Sequence, residues 1–142
     1  MKKMIVALAF SMAAAAGAQT APADPALFHV FGDKPGLVKL MDDFMLRLEA
    51  DPRMAPHFKE ANKQRVKEQL VDQFCQVTGG PCVYKGADMR SSHSNLEIGK
   101  RDFNGLVEVL QQSMDAQGIP FTAQNQLLAQ LAHMHRDNIT VK

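Results

Sequence analysis

Six apolar residues, Leu37, Leu40, Met41, Phe44, Met45 and Leu48, recur at the three- and four-residue spacing of one α-helical face. That stripe constrains the fold more than any other feature of the chain. On a strand the same residues would fall on both faces at once. Pro35 suits the first turn of such a helix, where its missing N–H costs nothing. Asp51-Pro52 ends it, because a residue before proline avoids the helical region. The pattern then repeats. Val66, Leu70, Phe74 and Val77 mark one face of a second long helix, whose other faces carry Lys63, Arg65, Lys67, Glu68 and Asp72, and Gly79-Gly80-Pro81 stops it. Phe103, Leu106, Val107, Leu110 and Met114 mark a third that ends near Gly118. Thr122 is placed to cap a fourth, with Leu127, Leu128, Leu131 and Met134 on its apolar face. Shorter pieces lie between: a turn at 54–58, a loop at 83–87 and a short helix around 89–95. No segment alternates like a strand, so the expected class is all-α.

The start of the chain is a different kind of sequence. Lys2 and Lys3 precede an apolar run from Met4 to Ala16, and Ala16-Gly17-Ala18 is a small-x-small cleavage site. This is the pattern of a secretory signal peptide. The run falls short of the ~20 apolar residues a spanning helix needs. The expected organisation is therefore a signal peptide over 1–18 and one domain over 19–142, exported to the periplasm or secreted, with no membrane association after cleavage. The formal net charge is +1. With no basic run and no acidic tail, neither nucleic acid nor a strongly charged partner is suggested.

Cys75 and Cys82 flank the sequence QVTGGP. Export to an oxidising compartment is compatible with a disulfide between them, and the glycine-proline turn can bring them together. Two buried free thiols are the alternative. They are not in CxxC spacing, and no haem-attachment CxxCH motif is present.

The segment YKGADMRSSHSNLEIG is the odd one for a plain bundle. Ser91, Ser92, Ser94 and Asn95 are poor interior helix formers, yet Met89, His93 and Leu96 share a helical face. A haem needs a neutral imidazole at its iron and a flat apolar slot around the ring, and its propionates favour basic or hydroxyl partners. His93 can be the ligand. Met89, Leu96, Ile98 and Phe103 can form the slot below, Phe44, Phe58 and Phe74 can pack above or beside, and Lys63, Arg65 and Tyr84 can reach the propionates. An ordinary core or surface histidine fits the spacing as well.

The order of several short pieces adds weight. LFHVFGDKPGLVKLMDDFMLRLEADPRM, PHF, FCQVTGGPCVYKG, DMRSSHSNLEI and FNGLVEVL together resemble the first group of truncated haemoglobins, over residues 27–131. The resemblance implies a globin-like, two-over-two helical sandwich around one b-type haem. It puts the axial histidine on His93 and the ring-stacking phenylalanine on Phe58. Met89, Ile98 and Phe103 fall where the family lines the proximal side, and Arg65 and Tyr84 where it meets the haem edge. The implied function is reversible binding of O2 or another diatomic ligand such as NO or CO.

The other side of the slot departs from that pattern. Many first-group members place a tyrosine where this chain has Met45, and polar side chains where it has Val66 and Leu70. The one tyrosine, Tyr84, is elsewhere. Bound O2 then lacks a donor worth on the order of 1 kcal/mol, unless Lys67, Gln69 or Gln73 leans in. Two other readings stand beside the binding protein. One is a haem enzyme, an NO dioxygenase or peroxidase-like catalyst, which needs a reductase or other redox partner. The other is an electron carrier with Met45 as sixth ligand, since His/Met ligation raises the potential. His29 and His57 sit near expected helix ends. His133 and His135 point roughly 200° apart on a helix and make a poor metal site.

Overall fold

The stripe at 37–48 becomes the central element of the molecule. The computed structural model describes residues 25–141, so the leader expected at 1–18 lies outside the described residues. Eight helices are present among them: α1 (Pro25–Val30), α2 (Asp33–Ala50), α3 (Ala55–Phe58), α4 (Lys63–Val77), α5 (Met89–His93), α6 (Lys100–Ala116), α7 (Phe121–Ala132) and α8 (His135–Asn138). No strand occurs among the described residues, and none of the helices there is long and apolar enough to cross a membrane.

All six stripe residues of α2 are buried. They pack against α4 on one side and α6 on the other, and α6 packs against α7. The two helix pairs thus form the two layers of a sandwich, with Phe44, Met41, Leu110, Met114 and Leu127 in the shared core. Burying each such side chain is worth about 1.5–3 kcal/mol relative to exposing it. Gly32 makes the entry to α2, with φ +80° where glycine is favoured. Asp51, extended before Pro52, ends it as the sequence predicts.

Two boundaries differ from expectation. α7 starts at Phe121, with Pro120 at its N-cap and no side-chain cap, so Thr122 lies inside the first turn. Pro120, with its fixed φ, leads into the first turn, and no side chain caps it. α5 stops at His93 rather than running to Asn95, because the chain then turns through Glu97 at φ +49°.

Candidate functional site

α5 has five residues, and none of them is buried. Its serines act as local hydrogen-bonding groups instead of helix formers, which is the normal competition for short hydroxyl side chains. Asp88 caps the helix, accepting from the Ser91 N–H at 2.9 Å and the Ser91 hydroxyl at 2.7 Å. These donors hold the Asp88 carboxyl below its ordinary value. Ser92 Oγ donates to Ala87 O and Ser94 Oγ to Ser91 O.

His93 is half-buried, and its Nδ1 lies 2.7 Å from the carbonyl oxygen of Met89. A carbonyl only accepts, so Nδ1 carries the proton. In the neutral ring the lone pair is then on Nε2, facing away from its own helix. That is the tautomer of a metal-ligating histidine whose other nitrogen is fixed by a neighbouring oxygen.

Half-buried apolar side chains are supplied by several elements: Phe58 from α3, Val66 and Leu70 from α4, Met89 from α5, Ile98 from the following turn, and Phe103 from α6. Phe58, Val66 and Leu70 pack on the edge of the core without being covered by it. Phe44, Met45 and Phe74 stand one layer deeper and are almost completely buried. Leu96 is exposed, away from the slot expected for it.

The polar residues expected at the rim are placed variously. Arg65 is exposed. Lys63 reaches across to Glu49 on α2 at 3.0 Å. The Tyr84 hydroxyl donates to Ala87 O at 2.7 Å, bracing the loop before α5. Lys67 is anchored to Asp42 on α2 at 2.6 Å. Gln69 is half-buried. Gln73 is buried, and its Nε2 points at two thioethers, Met134 Sδ at 3.1 Å and Met89 Sδ at 3.4 Å. His57 Nε2 lies 3.4 Å from Asp102, whose carboxyl is held below its ordinary value first by the Gly99 N–H and then by His57.

The sulfurs of Cys75 and Cys82 are adjacent, with Cα atoms 5.6 Å apart, and they close the turn between α4 and the loop to α5. Gly80 fits against this pair: a Cβ there would lie 2.7 Å from both Cys75 Sγ and the Phe28 ring.

These residues suit a haem. His93 offers a single nitrogen ligand, and no group of three or more His, Cys, Asp or Glu side chains gathers among the described residues. One protein ligand amid apolar side chains fits a metal carried in a macrocycle better than one caged by side chains. Several contributors were missed in the sequence. Asp88 as a cap was legible three residues before Ser91. Asp137, which pairs with Arg90 of α5, and Thr140, which pairs with Ile98 after it, carry no local signal, because their partners lie more than forty residues away.

Comparison with known proteins agrees with this fold. The family model described as bacterial-like globin matches residues 26–140. The chain is 28% identical to the group 1 truncated haemoglobin of Mycolicibacterium paratuberculosis over 78% of its length and 82% of that protein's. It is 23% identical to the group 1 truncated haemoglobin of Tetrahymena thermophila, covering 80% of this chain and 93% of the relative. Its fold matches the crystal structure of the Fe(III) form of the truncated haemoglobin from Tetrahymena pyriformis. The TM-score is 0.76 and the identity 21%, over 80% of this chain and 97% of that one.

Proposed function

The chain belongs to the bacterial-like globin family, and from that premise we propose that it binds one b-type haem through His93 and reversibly takes up O2 or another diatomic ligand. The observation that carries this reading is the Met89 O···His93 Nδ1 hydrogen bond, which directs a neutral Nε2 lone pair away from α5. Haem supplies an iron with a position open to a diatomic ligand. The protein's part is to hold and enclose it. His93 would supply the nitrogen ligand to the iron. Met89, Ile98 and Phe103 would form the apolar wall near it, and Phe58, Val66 and Leu70 would help to exclude water. Phe44 and Phe74 back that wall from the core. Arg65, exposed at the surface, would meet a propionate, and Tyr84 orders the loop before α5.

Met45, Val66 and Leu70 offer no hydrogen-bond donor. This supports fast ligand release over the tight hold that a donor gives, and it supports a binding protein over an enzyme dependent on a reductase. The leader at 1–18 supports export to the periplasm or medium, where the Cys75–Cys82 pair would be oxidised. Absorption spectra of the mature protein reconstituted with hemin test the proposal. The wild type should show a Soret band in ferric, ferrous and ferrous-CO forms, and His93→Ala should lose or drastically alter it. A folded wild type that takes up no hemin would refute the reading.

A further inference from the structure

The helix that carries His93 cannot hold itself in place. It has five residues, none buried, and it is followed by a turn with Glu97 in the left-handed region, which disfavours a residue with a Cβ. Isolated helices of this length are unstable in water. Something outside the helix has to fix its position and rotation.

We infer that residues 134–141 form a positioning strap for the axial histidine. Ties to four partner residues, Ile98, Arg90, Phe103 and Gln73, support this. Ile98 O, just beyond the left-handed turn, accepts from Thr140 N at 2.8 Å and from Val141 N at 3.1 Å. Ile98 N in turn donates to Thr140 Oγ1 at 2.8 Å, so both backbone polar groups of Ile98 are pinned just after the turn. Arg90 pairs with Asp137 at 2.9 Å. The His135 ring stands edge-on to Phe103 with centroids 4.6 Å apart, locking the strap to the start of α6. At its near end, Met134 Sδ and Met89 Sδ both accept from the buried Gln73 amide, which joins strap, α5 and α4 at one point.

The ties are directional. Met89 is the residue whose carbonyl holds His93 Nδ1, so whatever fixes Met89 also fixes the imidazole. Ile98 lies on the other side of His93. The strap thus grips the ligand segment at both ends, through Gln73 and Met134 before the histidine and through Thr140 after it. Thr140 is the positioning residue that a single substitution isolates: valine keeps its shape and removes the oxygen that receives Ile98 N–H, while serine keeps the oxygen. The Arg90–Asp137 pair is exposed and screened, and it adds little alone.

The iron part of this inference rests on the haem reading above, and the test separates the two. Amide hydrogen exchange on the haem-free chain is measured for wild type, Thr140→Val, Thr140→Ser and a chain lacking residues 134–142. Hemin transfer to an excess of apomyoglobin is measured beside it. Thr140→Val should speed exchange over residues 89–99, leave α2 and α4 protected, and raise the hemin loss rate about fivefold, the ratio expected for one hydrogen bond. Thr140→Ser should restore both, and the deletion should exceed Thr140→Val in both. Gly118→Ala, in the α6–α7 turn, is the control that destabilises without touching the strap. Unchanged exchange over 89–99 in Thr140→Val and the deletion overturns the inference. So does a gain in hemin loss matched by Gly118→Ala. If the wild type takes up no hemin, the haem reading fails, and the exchange data alone still decide whether the strap holds α5.

Discussion

Gly36→Ala should be the most damaging small substitution in the first glycine motif. A Cβ at Gly36 would lie well inside van der Waals contact of the Phe31 carbonyl oxygen, and 2.9 Å from its carbon, where real Cβ atoms keep beyond 3.0 Å. The obstacle is backbone, so no side chain can swing aside. The backbone is also pinned. Phe31 is fully buried, Phe31 N donates to Leu27 O at 3.2 Å, Gly36 N donates to Gly32 O at 3.0 Å, and Gln117 Nε2 donates to Gly36 O at 2.9 Å. Relieving the clash means shifting α1 against α2 and giving up part of that set. The cost is about 3 kcal/mol or more, at the top of the range for overpacking. For a domain of this size that is roughly a 10 °C drop in Tm. Gly118→Ala is the calibrator, because Gly118 has φ +73° and open space around it. It should cost only about 1 kcal/mol, for the left-handed backbone. Urea and thermal unfolding by far-UV circular dichroism measure both. If Gly36→Ala falls within error of Gly118→Ala, the close approach of α1 and α2 is not what the glycine serves, and the reasoning fails.

Leu70→Gln places a donor on the half-buried face of α4. Stopped-flow mixing should show O2 leaving about fivefold more slowly, the ratio of one hydrogen bond, and an unchanged rate would mean that this face does not meet the ligand. Reducing the Cys75–Cys82 pair, or replacing both by serine, should lower stability by about 2 kcal/mol for so short a loop, read from urea midpoints. Acid should open the α5 region. Asp88 and Asp102 have carboxyls depressed in the folded state, so their contribution is present above the ordinary carboxylate value. It is lost as pH falls through the lower folded value. Hydrogen exchange over residues 88–99 should therefore rise below about pH 4, and Asp88→Asn should remove much of that pH dependence.

The long helices were legible because their burial is periodic. Leu37 to Leu48 repeat on one face whatever they pack against, and Asp51-Pro52 and Gly79-Gly80 end helices by rules internal to a few residues. His93 was legible as an exception, a histidine among serines that helix propensity does not explain. What the sequence left dark was non-local. Thr140 and Val141 look like a fraying tail, and their meaning lies in Ile98, which no spacing rule connects to them. Gln73 could be read as leaning inward or as solvated, since it borders the apolar face of α4. Its burial against Met89 and Met134 depends on three elements meeting. Lys67 is placed by Asp42, on the helix it packs against.

Met45 tests the electron-carrier reading from packing alone. A thioether that ligates has to leave the place where it packs. Met45 is 5% exposed and belongs to the contiguous core with Met41, Phe44 and Leu48, whereas Val66 and Leu70 stand half-uncovered beside it. Drawing its sulfur outward would leave a void among fully buried side chains, and such voids cost roughly 2 kcal/mol or more when the surroundings cannot collapse. α2 has little freedom to collapse, since it is packed against both α4 and α6. A methionine bond to iron would have to exceed that cost, while a diatomic ligand entering beside Val66 and Leu70 displaces no core residue. The packing therefore argues against Met45 as an iron ligand, and with it against the electron-carrier reading.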